Sequence, residues 1–141
     1  MDLLLLGISH HSAPVDLRER VDFSKRGVVQ ALQELATSSA PAEAVILTTC
    51  NRAEIYVVCE NLETTRADLT RFMSRFHGVP EEELHPHLYS LSGSKVARHL
   101  FRVAAGLDSL VIGEPQIFGQ VKEAYAVASE KQHTGALLNK L

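Results

Sequence analysis

Thr48-Thr49-Cys50-Asn51-Arg52 gathers a thiol, two hydroxyls, an amide and a guanidinium within five residues. A thiolate attacks activated carbonyl carbons and leaves a thioester, and a guanidinium pairs bidentately with carboxylates. Ala44-Val45-Ile46-Leu47 leads into the stretch and Ile55-Tyr56-Val57-Val58 leads out, so two β-rich segments flank a short polar insert. The pattern predicts a hairpin over 44–59 with Cys50 at its tip. A cysteine used for packing belongs inside an apolar run, whereas Cys50 stands outside both, in a turn whose backbone N–H groups favour a thiolate. An idle free thiol in a polar loop has the same local pattern, so these residues alone leave catalysis and coincidence both open.

The chain has 141 residues, enough for one domain that buries about two-thirds of its unfolded surface. Lys and Arg number 14 against 17 Asp and Glu, a net charge of −3, so no global basic field recruits nucleic acid and any RNA contact must use a local patch. Apolar runs such as Leu3 to Leu6 are far too short to span a bilayer, and Met1-Asp2 offers no positively charged leader. A soluble, cytoplasmic protein is expected. In the predicted hairpin Cys50 and Cys59 lie roughly 25–30 Å apart, which excludes a disulfide between them. Free thiols suit a reducing compartment.

The elements that must position the tip follow from periodicity. Leu3 to Ser9 is an unbroken apolar run, the pattern of a central strand buried on both faces. Ala13-Pro14 opens a short turn or helix over Val15 to Val21. Ser24 is read as the cap of a longer helix carrying Val28, Leu32 and Leu35, which breaks at Ser38-Ser39-Ala40-Pro41. After the hairpin, Leu69, Phe72, Met73 and Phe76 mark a helix over Thr64 to His77, with Gly78 and Pro80 as its stop. Glu81-Glu82-Glu83 is a solvated acidic turn, and His85 to Leu91 reads as a fourth strand, with Pro86 suggesting an edge or strand-start position. The order β-α-β-β-α-β predicts an α+β, ferredoxin-like antiparallel sheet over residues 1–92, with two helices on one face. Residues 93–141 form a helical appendage.

In that appendage Val96, Ala97, Leu100, Phe101, Val103 and Ala104 form a broad apolar face, and Gly106 ends the helix. Lys95, Arg98, His99 and Arg102 form a basic ridge on the other side, ordinarily a solvated one. Pro115 starts a further helix with Glu114 at its cap, packing through Phe118, Val121, Tyr125 and Ala128, with Gln116 and Gln120 stacked at i, i+4. The pairs His10-His11 and His85-x-His87 lack a carboxylate or thiolate at matching spacing, and no metal site is expected.

Three blocks carry a family resemblance: Gly7-Ile8-Ser9-His10-His11-Ser12-Ala13-Pro14-Val15 followed by Arg18-Glu19, Thr48 through Tyr56, and Gly106-Leu107-Asp108-Ser109-Leu110-Val111-Ile112-Gly113-Glu114-Pro115-Gln116-Ile117. Together they resemble the N-terminal catalytic domain of glutamyl-tRNA reductase. The resemblance implies NADPH-dependent reduction of glutamyl-tRNA(Glu) to glutamate-1-semialdehyde for tetrapyrrole (haem, porphyrin) synthesis. It places the nucleophile at Cys50 and a residue important for activity at His99, for which protonating the departing ribose oxygen or tuning the thiol are suitable tasks. Thr49, Cys50, Asn51, Arg52, Ser109, Glu114, Pro115, Gln116 and Gln120 match positions lining the glutamate pocket. Arg52 suits the substrate's side-chain carboxylate, Ser109 and the glutamines its α-amino group or an oxyanion, and Glu114 an ammonium charge.

The resemblance further implies an NADPH-binding domain and a helical dimerisation domain beyond Leu141, a homodimer, and glutamate-1-semialdehyde aminotransferase as a candidate partner. Gly106, Gly113 and Gly119 do not form a G-x-G-x-x-G fingerprint, so no dinucleotide site is expected within these residues. This piece should form the thioester and slowly hydrolyse glutamyl-tRNA. Two other classes share its features. A non-catalytic RNA-binding module uses the same element order but needs stacking aromatics on central strands, where only Tyr56 is available. A thiol hydrolase or acyltransferase would use Cys50 without requiring an RNA-linked substrate.

Overall fold

The computed structural model describes residues 2–24, 26–38, 41, 43–105, 120–122 and 124–126. Four strands, β1 (Asp2–Ser9), β2 (Glu43–Thr48), β3 (Arg52–Cys59) and β4 (Tyr89–Ser92), form one antiparallel sheet in the order β2-β3-β1-β4. The helices include α1 (Val15–Arg20), α2 (Val28–Ser38), α3 (Leu62–His77), α4 (Glu81–Leu84) and α5 (Ser94–Ala104), and residues 120–122 and 124–126 are helical as well. The interior place of β1 agrees with its continuous apolar sequence, since both its edges are paired and both its faces covered.

Side-chain alternation divides the sheet into two faces. Leu4, Leu6, Ile8, Ala44, Ile46, Ile55 and Val57 belong to the larger core, with Leu32 and Leu35 of α2 and Leu69, Phe72, Met73 and Phe76 of α3. Phe23, fully buried in the link from α1 to α2, stacks on Phe72 of α3 with ring centroids 6.4 Å apart. The opposite face carries Leu5, Leu47 and Tyr56 against Val96 and Val103 of α5, with Val121 and Ala124 packed alongside. The sheet is thus sandwiched between helical layers, which is why every residue of β3 is buried.

Several boundaries differ from the sequence-based expectations for physical reasons. Ser24 does not cap α2; its N–H and hydroxyl both donate to Asp22 Oδ1, at 2.9 and 2.7 Å. Gly27, at φ 97°, breaks the helical path, and its carbonyl accepts the first bond of α2 from Ala31. α3 starts at Leu62, earlier than expected, because Asn61 caps it, accepting from the Thr64 N–H at 2.9 Å; Gly78 closes it in the left-handed conformation. The acidic turn is the helix α4, and His85–His87 form a 3₁₀ turn that uses the fixed φ of Pro86, leaving β4 to begin at Tyr89.

α5 departs most from its expected faces. The inward stripe is Val96, His99, Leu100 and Val103, spaced i, i+3, i+4, i+7. Phe101, placed on the apolar face by its type, is 74% exposed, while His99 leaves the basic ridge and turns under the helix. Lys95, Arg98 and Arg102 remain exposed.

Candidate functional site

The tip of the β2–β3 hairpin is held from three sides. Thr49 closes it: its hydroxyl accepts from the N–H groups of Asn51 and Arg52, at 3.1 and 3.2 Å, and its own N–H donates to the Arg52 carbonyl at 2.8 Å. The end of β1 ties in through the His10 N–H, which donates to the Asn51 carbonyl at 2.8 Å. From α1, Arg18 Nη1 donates to the Cys50 carbonyl at 3.4 Å and to Asn51 Oδ1 at 3.3 Å. At the base of β2, the Thr48 hydroxyl donates to Asp22 and accepts from the Phe23 N–H. Cys50 is exposed on this braced turn, whereas Cys59, at the far end of β3, is buried; both are free thiols. The sulfur at the tip is therefore open to solvent on a backbone that several side chains immobilise.

Beneath the tip, on the face covered by α5, lies a buried charged cluster that periodicity did not single out. Arg52, Glu54 and Tyr56 point the same way along β3. Glu54 is 0% exposed and Arg52 2%. Glu54 Oε1 accepts from the Tyr56 hydroxyl at 2.7 Å; Oε2 accepts from Arg52 Nη1 at 3.3 Å, from the Tyr89 hydroxyl, and from His99 Nε2 at 2.6 Å. Burial drives the Glu54 carboxyl toward its neutral form. The His99 hydrogen bond, the Arg52 and His99 charges and the Tyr89 hydroxyl outweigh burial and hold its pKa below the ordinary value. Burial, reinforced by the Glu54 anion, pushes both tyrosines up, so they persist as donors.

The structure thus brings Thr49, Cys50, Asn51 and Arg52 together at one end of the sheet and connects Arg52 to His99 through Glu54. The Arg52 fork lies under the sheet's cover and already has an internal carboxylate partner in Glu54. Gln120 is helical and exposed. Ser109, Glu114, Pro115 and Gln116 lie outside the described residues. Sequence reasoning missed Arg18, Glu54 and Tyr89 as parts of this arrangement. For Glu54 there was a signal: a charge at alternate spacing between Arg52 and Tyr56, on a strand whose neighbours are apolar, must be solvated or paired.

The described residues do not fit a dinucleotide. β1 runs into His10-His11-Ser12, where Ser9 and Ser12 knot the turn, β3 runs into the Asn61 cap, and β4 enters α5 through the single Gly93, so none of these three strand-to-helix turns has the G-x-G-x-x-G glycines that let backbone approach a pyrophosphate. Among the described residues no group of three or more His, Cys, Asp or Glu is placed to hold a metal ion, and no helix is long and apolar enough to cross a membrane. Tyr56, the one aromatic available for base stacking on the central strands, is 2% exposed beneath α5 and presents no ring face to a nucleotide.

Fold and site together define an α+β domain that presents an exposed thiol on a braced hairpin, backed by an Arg-Glu-His array in which Arg52 and Glu54 are buried and His99 is partly buried. Residues 6–141 match the family model for the N-terminal domain of glutamyl-tRNA(Glu) reductase, and the chain belongs to that family. The glutamyl-tRNA reductase of Brevibacillus brevis is 45% identical over 141 residues, all of this chain and 31% of that protein. That of Geobacter sulfurreducens is 46% identical over 140 residues, 99% of this chain and 32% of that protein. Among solved structures, glutamyl-tRNA reductase from Methanopyrus kandleri aligns with a TM-score of 0.78 at 30% identity, over 96% of this chain and 30% of that one. The chain spans about a third of the length of the curated relatives it matches.

Proposed function

We propose that this chain is the glutamyl-transfer domain of an NADPH-dependent glutamyl-tRNA reductase and that Cys50 is its nucleophile, on a split βαβ scaffold (1–92) with a helical part (93–141) leading to a cofactor-binding domain. The observation that carries the reading is the exposure of Cys50 on a turn fixed by Thr49, His10 and Arg18, in a chain of this family.

The Cys50 thiolate attacks the carbonyl carbon of the aminoacyl ester. A C–S bond forms, the bond from that carbon to the tRNA ribose oxygen breaks, and His99 supplies the proton that the ribose oxygen takes up. Arg52, charge-paired with Glu54, also pairs with the substrate's side-chain carboxylate through a charge-assisted hydrogen bond that a neutral glutamine amide cannot match, which selects glutamate. Thr49 and Asn51 line the tip. Ser109, Glu114, Pro115, Gln116 and Gln120 complete the pocket, with the hydroxyl and amides on the α-amino group or oxyanion and Glu114 balancing an ammonium.

In this chain the thioester is consumed by water, returning the thiol and releasing glutamate. NADPH, held outside these 141 residues, supplies the reduction to glutamate-1-semialdehyde, the start of tetrapyrrole synthesis. A homodimer through a further domain, hand-over to the aminotransferase that consumes the aldehyde, and a cytoplasmic location complete the proposal.

Incubation with labelled glutamyl-tRNA tests it. The chain should release glutamate above background, Cys50→Ser should not, and simple glutamate esters should be poor substrates. Hydrolysis that survives the substitution removes Cys50 from the mechanism; equal use of simple esters favours a general thiol hydrolase or acyltransferase.

A further inference from the structure

Glu54 sits where stability alone would favour a hydrocarbon. Its surroundings on the α5 face include Leu5, Leu47, Val96 and Val103, and a buried ion pair is commonly no more stabilising than apolar side chains of the same volume. The fold nevertheless makes room for it. Gly7 lies in register with both Glu54 and Tyr89, and a Cβ there would come within 2.8 Å of Glu54 Cγ and 3.0 Å of the Ala53 carbonyl oxygen. Three elements then converge on the carboxylate: β3 with Arg52 and Tyr56, β4 with Tyr89, and α5 with His99. Two of these four partners, Arg52 and His99, are the groups assigned above to the substrate's carboxylate and to its leaving oxygen.

We propose that Glu54 is a positioning residue for glutamyl transfer: it holds the Arg52 guanidinium and the His99 imidazole in one array and fixes the His99 proton on Nε2, so that Nδ1 is the ring nitrogen offered to the reacting atoms. This rests on the reading of Cys50 as nucleophile. A carboxylate only accepts hydrogen bonds, so the 2.6 Å contact requires a proton on Nε2. In the imidazolium, Nδ1 then carries the second proton, which passes to the departing ribose oxygen while Nε2–H stays on Glu54, leaving a neutral ring. Arg52, tied to the same oxygen, keeps a fixed distance from that ring, so the substrate carboxylate and the bond being broken are registered against each other.

The test combines ¹⁵N-histidine spectroscopy with thioester chemistry. In the chain labelled at histidine, with His99 assigned by loss of its signals in His99→Gln, long-range ¹H–¹⁵N correlations near neutral pH report which ring nitrogen is protonated. Nε2–H is expected in the unsubstituted chain. Glu54→Gln should lose that preference and slow thioester formation at saturating glutamyl-tRNA by about 100-fold, the scale of a displaced acid. An Nδ1–H ring in the unsubstituted chain overturns the proposal without any variant, so poor folding of Glu54→Gln does not protect it. A Glu54→Gln chain that keeps both the tautomer and the rate, or the rate alone, overturns it as well. Cys50→Ser should leave the His99 tautomer unchanged; if transfer continues in that variant, the nucleophile assignment fails while the tautomer result stands.

Discussion

At the scale of single residues, the site depends on what surrounds side chains more than on their types. Cys50 and Cys59 differ only in position on one hairpin, yet one is exposed on a turn and the other packs in the core. Gly7 shows how closely the Glu54 cluster is fitted. Its backbone is ordinary strand, so its requirement is space: an added methyl meets the Glu54 side chain and also the Ala53 backbone carbonyl, which cannot swing aside. Gly7→Ala should therefore cost about 1–3 kcal/mol, as overpacked interiors do, read as a lower urea midpoint at unchanged slope. A change within a few tenths of a kcal/mol would mean that the cluster adapts more freely than these contacts imply.

Among the elements, helix ends and strand faces decide how the tip is held. α3 is the long helix under the sheet; Asn61 satisfies its first turn and Gly78 its last. Asn61→Ala should cost about 1 kcal/mol, the usual loss on removing an N-cap side chain, with no effect on Cys50 chemistry because the cap lies at the Cys59 end of β3. A comparable loss of hydrolysis would show coupling that the geometry does not predict. Such elements were legible from sequence: the stripe Leu69, Phe72, Met73, Phe76 and the stop at Gly78 state a helix without tertiary help. α5 was only half legible. Its length was right, but residue type assigned its faces, putting Phe101 inward and His99 outward, and the structure reverses both because Glu54 supplies a buried partner for an imidazole. The hairpin tip could be read from Cys50 and its polar neighbours, and Glu54 carried a signal in its spacing on an apolar strand; its partners Tyr89 and His99, and the reach of Arg18 to the tip, could not be read, because they arise from long-range packing.

At the scale of the whole molecule, one buried carboxylate links β3 and β4 to the helix that covers them, so its protonation is a property of the fold. The groups facing Glu54 are Arg52 and Tyr56 from β3, Tyr89 from β4 and His99 from α5, while β1 contributes Gly7. Because the folded pKa lies below the ordinary 4.5, the unfolded chain binds this proton first as pH falls. The stabilisation is fully present above about pH 5 and is lost as pH drops through the folded value. Chemical unfolding between about pH 7 and 3 should show the gap between the unsubstituted chain and Glu54→Gln narrowing on the acid side; a constant gap would mean that Glu54 does not titrate with folding.

Whether Cys50 captures the glutamyl group is read by an intact mass spectrum of the chain after brief mixing with glutamyl-tRNA and acid quench, followed by peptide mapping. A gain of one glutamyl group is expected, labile to hydroxylamine as thioesters are, located at Cys50 and missing in Cys50→Ser. No adduct on a chain shown to be folded, or an adduct that persists in Cys50→Ser, would contradict it.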